Sequence, residues 1–337
     1  MVSEAVLNAA PENELIRNTM KKADLLLNSY KNPVCSVSGG SDSDVMLDLL
    51  ERVRGNRKVT YVFFDTGIEY RATLRHLDDL EAKYEIEIVR RKAKKPVPVG
   101  CKEYGVPFFS KEIAQKISYL QAHGFQWENE PFEVLDKKYS GCKAGLKWWT
   151  CEHGERSKFS INSKAGMKEF MLSTPPEFAI SDKCCNGAKK DTSKAFLKEC
   201  NATICIVGER RAEGGIRAMT HTSCFEPLHH SGVARYMPLY FWSDEDKQQY
   251  KEHYGLRYSD CYEMYGMRRT GCCGCPFNSR FEEDLEIVKQ FEPQLYKAAL
   301  AIFGKSYEYT RAYRKFRDAF KRAKRKGGEG QTWIDGV

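Results

Sequence analysis

The chain has 337 residues, 42% of them apolar, and a formal net charge of +8. That length holds one large domain or a core domain with an appended helical part, and the modest positive charge suits an anionic ligand or nucleic acid better than a membrane. No apolar run reaches transmembrane length, and the opening MVSEAVLNAAPENEL lacks the basic-then-apolar layout of a secretory signal, so a cytoplasmic protein without a membrane partner is expected.

Residues 12–30 carry an amphipathic helical pattern. PVCSVS (33–38) reads as a buried strand, followed by a glycine turn and a helix from Ser43 to Arg54. KVTYVFFDTG (58–67) is a second strand, 69–84 another helix and EIEIVRR (85–91) a third strand. This alternation predicts an α/β fold with a parallel sheet and helices on both faces. The pattern weakens from Lys92 to Ser181, where only a helix over 109–122 stands out. ATICIVG (202–208) reads as a further strand, and SDEDKQQYKEHYG (243–255) as a helix with a serine N-cap, an acidic first turn and a closing glycine. After Pro276 the chain reads as helical almost to its end. The expected division is an N-terminal helix (1–30), a main domain (31–280) and a basic helical C-terminal region (281–337).

Between the first strand and its helix stands SGGSDS. Glycines let backbone approach a ligand closely, and a helix N-terminus offers unpaired N–H groups at its positive dipole end. Ser38, Ser41 and Ser43 add hydroxyls to a cradle suited to pyrophosphate, and Asp42 is placed to hold Mg²⁺. The lysine of GxxxxGK[ST] is missing, so this is not a Walker-type loop. A simple Gly-Ser turn capping the helix is the alternative.

Thirteen cysteines are many for a protein of a reducing compartment. Cys35, Cys200 and Cys205 read as small core residues. The adjacent pair Cys184–Cys185 and the C-x-x-C of Cys272 and Cys275 are clusters that point to metal. A lone C-x-x-C fits zinc, but an adjacent pair is awkward for a zinc tetrahedron, and a [4Fe–4S] cube takes four thiolates. Cys273 reads as a substitute ligand or reactive thiol; Cys142 and Cys151 as a second metal pair, a relay pair or local thiols. His153, His229 and His230 read as polar surface residues.

SGGSDS resembles the PP-loop signature SGGxDS of the ATP pyrophosphatase superfamily, through Ser38, Gly39, Gly40, Asp42 and Ser43. Ser41 occupies the variable position, where several relatives carry lysine. FFDTGIEY resembles the F-x-D-T-G segment of the PAPS/APS reductase branch, which implies that backbone near Val62–Phe64 contacts adenine and that Asp65 and Thr66 line the site. The pattern CC…C-x-x-C resembles the cluster ligands of assimilatory APS reductases, implying Cys184, Cys185, Cys272 and Cys275 as ligands of a [4Fe–4S] cluster. Lys189 matches a lysine the family places between cluster and substrate, although Ala188 replaces the arginine that precedes it. VGERRAEGGIR is similar to the family's G-x-R-x-x-E-x-x-x-R through Gly208, Arg210, Glu213 and Arg217, which implies that these arginines, with Arg211, bind phosphate oxygens. The resemblance covers roughly residues 30–280 and implies the adenine nucleotide alpha-hydrolase-like (PP-loop) fold.

The resemblance breaks at one point. The reductases attack with a cysteine in a C-terminal segment like ECGLH, and no cysteine follows Cys275 here. The intact glycine pair favours ATP with its pyrophosphate, as in cluster-containing sulfurtransferases of DNA phosphorothioation and tRNA thiolation. The expected function is therefore ATP-dependent adenylation coupled to sulfur transfer onto nucleic acid, with Asp42, Lys189 and Arg210 in the chemistry and a sulfur donor such as a cysteine desulfurase. Alternatives are a sulfonucleotide reductase using a non-standard or partner thiol, and a non-catalytic nucleotide-binding subunit with a structural cluster. YTRAYRKFRDAFKRAKRK (309–326) interleaves basic residues with Tyr313, Phe316 and Phe320 at i, i+3, i+7. That spacing predicts a buried aromatic face and an exposed basic one, which is either a phosphate-backbone footprint or a solvated helix face.

Overall fold

The computed structural model describes residues 2–155, 157–214, 221–227 and 232–326. The chain divides into two compact units. The first comprises Met1–Val97, Cys185–Cys273 and Glu283–Tyr296; the second comprises Pro98–Cys184, Gly274–Glu282 and Lys297–Val337.

The first unit is built on a six-stranded sheet of β1 (Pro33–Ser36), β2 (Thr60–Asp65), β3 (Ile88–Lys92), β4 (Ile204–Val207), β5 (Phe225–Glu226) and β6 (Ala234–Tyr236). Their spatial order is β3-β2-β1-β4-β6-β5. All neighbours are parallel except β5, which runs antiparallel to β6. The four strands expected from sequence are present. β5 and β6 were not foreseen, because runs of two and three residues carry no periodicity.

The alternation of side chains along each strand decides what covers each face. Cys35, Tyr61, Phe63, Ile204 and Ile206 pack with Ile16 and Met20 of helix Glu14–Ser29, Val45 and Leu49 of helix Ser41–Arg54, and Leu77 and Leu80 of helix Arg71–Tyr84. Val34 and Val62 point the other way, onto Phe196 and Leu197 of helix Asp191–Glu199. Helices therefore cover both faces, as a parallel sheet requires. Cys35 is fully buried, while Cys200 and Cys205 pack half-buried against the smaller cluster.

Register Ser36↔Val207 brings the carboxyl ends of β1 and β4 level, while β2, paired at Ser36↔Val62, runs on to Asp65. The chain leaves β1 toward β2 on one side and returns as β4 on the other, so strand order reverses between β1 and β4. The crevice at such a reversal, outside the carboxyl ends, is where open α/β sheets bind ligands. Helix Asp244–Tyr254 has the expected caps: the Ser243 hydroxyl accepts from Asp246 N–H at 3.1 Å, and Gly255 closes it at φ +59°.

The second unit is helical: Val97–Tyr104, Lys111–Ala122, Phe132–Lys138, Lys143–Trp149 and Met167–Ser173. Most of these helices have seven or eight residues, too few turns to print an amphipathic period on the sequence. The core gathers Phe108, Ile117, Leu146, Trp149 and Phe170 with Tyr309 and Tyr313 of helix Pro293–Lys326. The Phe170 ring centroid lies 5.0, 5.5 and 5.6 Å from those of Tyr309, Tyr313 and Phe316, so the aromatic stripe is buried as its spacing requires. Arg311 and Arg314 pair with Glu282, whereas Lys315, Lys321, Arg322 and Lys324 are exposed. Cys142 and Cys151 are buried in the same core, where burial pushes the Cys142 thiol up, and both behave as local packing thiols. His153 is exposed; His229 and His230 lie outside the described residues. Among the described residues no helix is long and apolar enough to cross a membrane.

Candidate nucleotide site

The chain leaves β1 at Ser36 and enters helix Ser41–Arg54 through a glycine turn, two residues earlier than the sequence suggested. Gly39 sits at φ +63°, where a side chain is strained, and a Cβ there would lie 2.7 Å from Thr73 Cγ2. The Ser43 hydroxyl turns back into the loop: it accepts from the N–H of Ser38 and of Gly40, each at 3.2 Å, and donates to Gly40 O at 2.9 Å. A Cβ on Gly40 would meet Thr270 Oγ1, Ser38 Oγ and Tyr262 OH at 3.1, 3.2 and 3.3 Å. A ring of hydroxyls thus faces bare backbone. Gly208, in the loop after β4, packs its Cα where a Cβ would sit 3.2 Å from Asp42 O and Ser43 Cα.

Asp42 is the electrostatic centre. Its Oδ1 accepts from Arg210 Nε at 2.9 Å and from Lys247 Nζ at 2.8 Å. Lys247 also donates to Ser41 Oγ at 3.1 Å. Arg210 is only 5% exposed and is held at its other nitrogens by Asp244 Oδ1 at 2.8 Å and Trp242 O at 3.4 Å. Burial opposes its charge, but Asp42 and Asp244 outweigh that and raise its pKa. Two residues further along the helix, the buried Asp44 carboxylate meets His76 Nε2 at 2.8 Å. Burial raises the Asp44 pKa against the hydrogen bond from His76. Burial also disfavours the His76 charge, yet the hydrogen bond and charge of Asp44 prevail and raise its pKa. Tyr258 is 8% exposed, its hydroxyl has no hydrogen-bond partner among the described residues, and it lies within electrostatic reach of Asp44, Asp42 and Arg210. A buried orphan hydroxyl within reach of the Arg210 charge fits a ligand oxygen.

Residues 32–124 and 129–278 match the phosphoadenosine phosphosulfate reductase domain. The chain belongs to this family. It is also similar to an uncharacterized protein of Methanocaldococcus jannaschii, 35% identical over 153 residues that make up 43% of this chain and 30% of the relative. The match thus spans less than a third of that relative's length. Among solved structures it is similar to the phosphoadenylyl-sulfate reductase of Candida auris in a phosphate complex, with 15% identity, a TM-score of 0.43, and 75% of this chain and 87% of that one covered. It is similar as well to the U34-tRNA thiolase NcsA of Methanococcus maripaludis with its [4Fe–4S] cluster, with 14% identity, a TM-score of 0.37, and 90% and 79% covered.

In this PAPS reductase-family chain the remaining residues singled out from sequence fall in several places. Asp65 accepts from Gly67 N–H at 2.8 Å and closes the turn after β2. Thr66 is fully buried; its N–H reaches Glu69 Oε1 at 3.1 Å, and its hydroxyl bonds the same carboxylate and lies 3.4 Å from Cys272 Sγ. Thr66 is therefore turned toward a cysteine. Arg211 is exposed, with its N–H on Tyr240 O at 2.9 Å, and Arg217 lies outside the described residues.

Within the first unit, Cys185 opens the π-turn Asn186–Lys190 that carries Lys189. Burial raises the Cys272 thiol, the Lys189 charge lowers it, and Glu69 and Cys185 act on it as well. Cys273 is fully buried, and burial pushes its thiol far above the ordinary range, which disfavours the thiolate. In the second unit, the Gly100 backbone packs against Cys184, and Cys275 O accepts from Asn278 N–H at 2.9 Å. Among the described residues no group of three His, Cys, Asp or Glu side chains converges so as to hold a metal ion. The donor chemistry of the four cysteines suits an iron–sulfur cluster, and within the first unit Cys185 lies within electrostatic reach of Cys272.

Lys247, Tyr258, Tyr262 and Thr270 are the site residues that sequence reasoning missed. Only Lys247 left any trace, as a lone cation amid the acidic first turns of helix Asp244–Tyr254.

Proposed function

We propose that the protein binds ATP with Mg²⁺ on the glycine loop, adenylates an acceptor oxygen with release of pyrophosphate, and exchanges that oxygen for sulfur, the acceptor being a nucleic acid. The observation that carries this reading is Asp42, held by two cations from distant elements at the mouth of a side-chain-free glycine turn. In the first step the acceptor oxygen attacks the α-phosphorus and the bond to the β-phosphate oxygen breaks. In the second, hydrosulfide forms the carbon–sulfur bond and AMP leaves with the oxygen, so no net oxidation occurs. A donor such as a cysteine desulfurase with a thiol reductant supplies the hydrosulfide.

In this reading the Gly39–Gly40 backbone and the hydroxyls of Ser38, Ser41 and Ser43 hold the departing pyrophosphate. Arg210 keeps its charge at the crevice. Against the effect of burial, the Lys189 charge lowers the pKa of both Glu69 and Cys272, which supports a place for it beside the cysteines. Cys184, Cys185, Cys272 and Cys275 would hold a [4Fe–4S] cluster, which supplies electrons or a sulfur-binding iron when bound. The exposed cations of 315–324 support nucleic-acid contact.

The family match favours one second reading, reduction of a sulfonucleotide by a partner's thiol. Anaerobic incubation of the reconstituted protein with ATP and candidate nucleic acids decides between them. Pyrophosphate release with an oxygen-to-sulfur mass change supports adenylation; sulfite release from a sulfonucleotide, with no pyrophosphate from ATP, overturns it.

A further inference from the structure

The loop segment Val37–Asp44 contains no lysine or arginine, so every side-chain cation at its mouth comes from elsewhere. Two arrive on the same atom, Asp42 Oδ1. They are not equivalent. Arg210 is buried and fixed at three points, on Asp42, Trp242 and Asp244. Lys247 comes from helix Asp244–Tyr254 on a flexible four-carbon stem, and among the described residues its ammonium touches only Ser41 and Asp42. Ser41 is the first residue of the loop helix, so this ammonium stands beside the first-turn N–H groups where an anion is drawn.

We propose that Lys247 is the mobile phosphate ligand of this site and that, before nucleotide binds, it is parked on Asp42. This rests on the reading that the glycine loop takes a nucleotide's phosphates. A carboxylate oxygen shared by two cations is a poor ligand for a divalent ion, because the incoming charge meets both. A phosphate arriving over Ser41, whose hydroxyl the ammonium already reaches at 3.1 Å, offers it a stronger partner. Lys247 transfers to it, which lifts one of the two positive charges from Asp42 Oδ1 and leaves the carboxylate a better ligand for Mg²⁺. Phosphate and metal then promote each other's binding through one side chain, and the coupling is reciprocal. Arg210, locked by Asp244 and Trp242, keeps Asp42 in place while Lys247 moves. The orphan hydroxyl of Tyr258 is a second donor awaiting the same anion.

The test uses Mn²⁺ as a spectroscopically visible stand-in for Mg²⁺ and ATP as the phosphate probe, on the full chain and on Lys247→Met. For ATP in chelator without metal, the variant binds about tenfold or more weakly, the range of one charge-assisted hydrogen bond. For Mn²⁺ without nucleotide, the variant binds more tightly than the native chain, and ATP enhances Mn²⁺ binding less in the variant. Lys247→Gln, which keeps a hydrogen bond to Asp42, gives the same directions if the methionine variant fails to fold. Unchanged metal-free ATP affinity, or unchanged Mn²⁺ affinity, overturns the proposal. If ATP fails to bind the native chain, the nucleotide reading falls, while the Mn²⁺ arm still decides whether Lys247 competes for Asp42.

Discussion

Replacing Gly39 by alanine separates the two jobs of the glycine pair. At φ +63° a Cβ carries a left-handed penalty of about 1–2 kcal/mol. It also lands 2.7 Å from Thr73 Cγ2, on a β-branched residue that is 2% exposed and confined within helix Arg71–Tyr84, so the neighbour has little room to yield. Overpacking of this kind costs about 1–3 kcal/mol. The expected destabilisation is about 2–5 kcal/mol, or a lowering of Tm by about 2–4 °C per kcal/mol in a domain of this size. Chemical denaturation of a double-mutant cycle with Thr73→Ser checks the origin: removing Cγ2 recovers the steric share, about 1–3 kcal/mol, and leaves the backbone share. Gly40→Ala is the contrast. Its φ of −97° suits any residue, and its Cβ meets only hydroxyls at 3.1–3.3 Å. It keeps most of its stability and loses ATP affinity by calorimetric titration. If Gly39→Ala matches the native chain in stability, or if Thr73→Ser rescues nothing, the account of this turn is wrong.

Stability also depends on pH through the buried pair His76 and Asp44. Both pKa values are raised in the folded chain, so each contributes stability that is present below its unfolded value and lost as pH rises through the folded one. Denaturant midpoints fall as pH increases above about 6.5, the unfolded histidine value, and His76→Gln flattens that slope. Cys272→Ser, measured on anaerobically reconstituted protein, loses iron and visible absorption, whereas Cys273→Ala keeps them; a colourless native protein refutes the cluster assignment. Neutralising Lys315, Lys321 and Arg322 weakens nucleic-acid binding and reduces the slope of log affinity against log salt by up to about 0.9 for each phosphate left without its cation. No change in slope would mark these residues as a merely solvated face.

Much of the first unit was legible because its signals are local. A β-branched run, a glycine pair, then a serine that turns back on its own loop all lie within residues 33–43, and the hydrogen bonds of Ser43 span only three to five residues. The same is true of Ser243 and Gly255, which announce the two ends of one helix. The aromatic stripe of 309–326 was readable because a long helix repeats its period enough times to be seen.

What the sequence alone determined is the alternation of the first three strands with their helices, the strand at 202–208, the glycine turn and the basic, aromatic-faced C-terminal helix, since each follows from residues within a few positions of one another. Only the tertiary structure decided what stands around Asp42. Lys247 reaches it across 205 positions and Arg210 across 168. Thr66 meets the thiol of Cys272 206 positions away. Periodicity carries no record of such distances: a charge's partner is chosen by how strands β1 and β4 lie side by side, and that pairing is a property of the folded sheet.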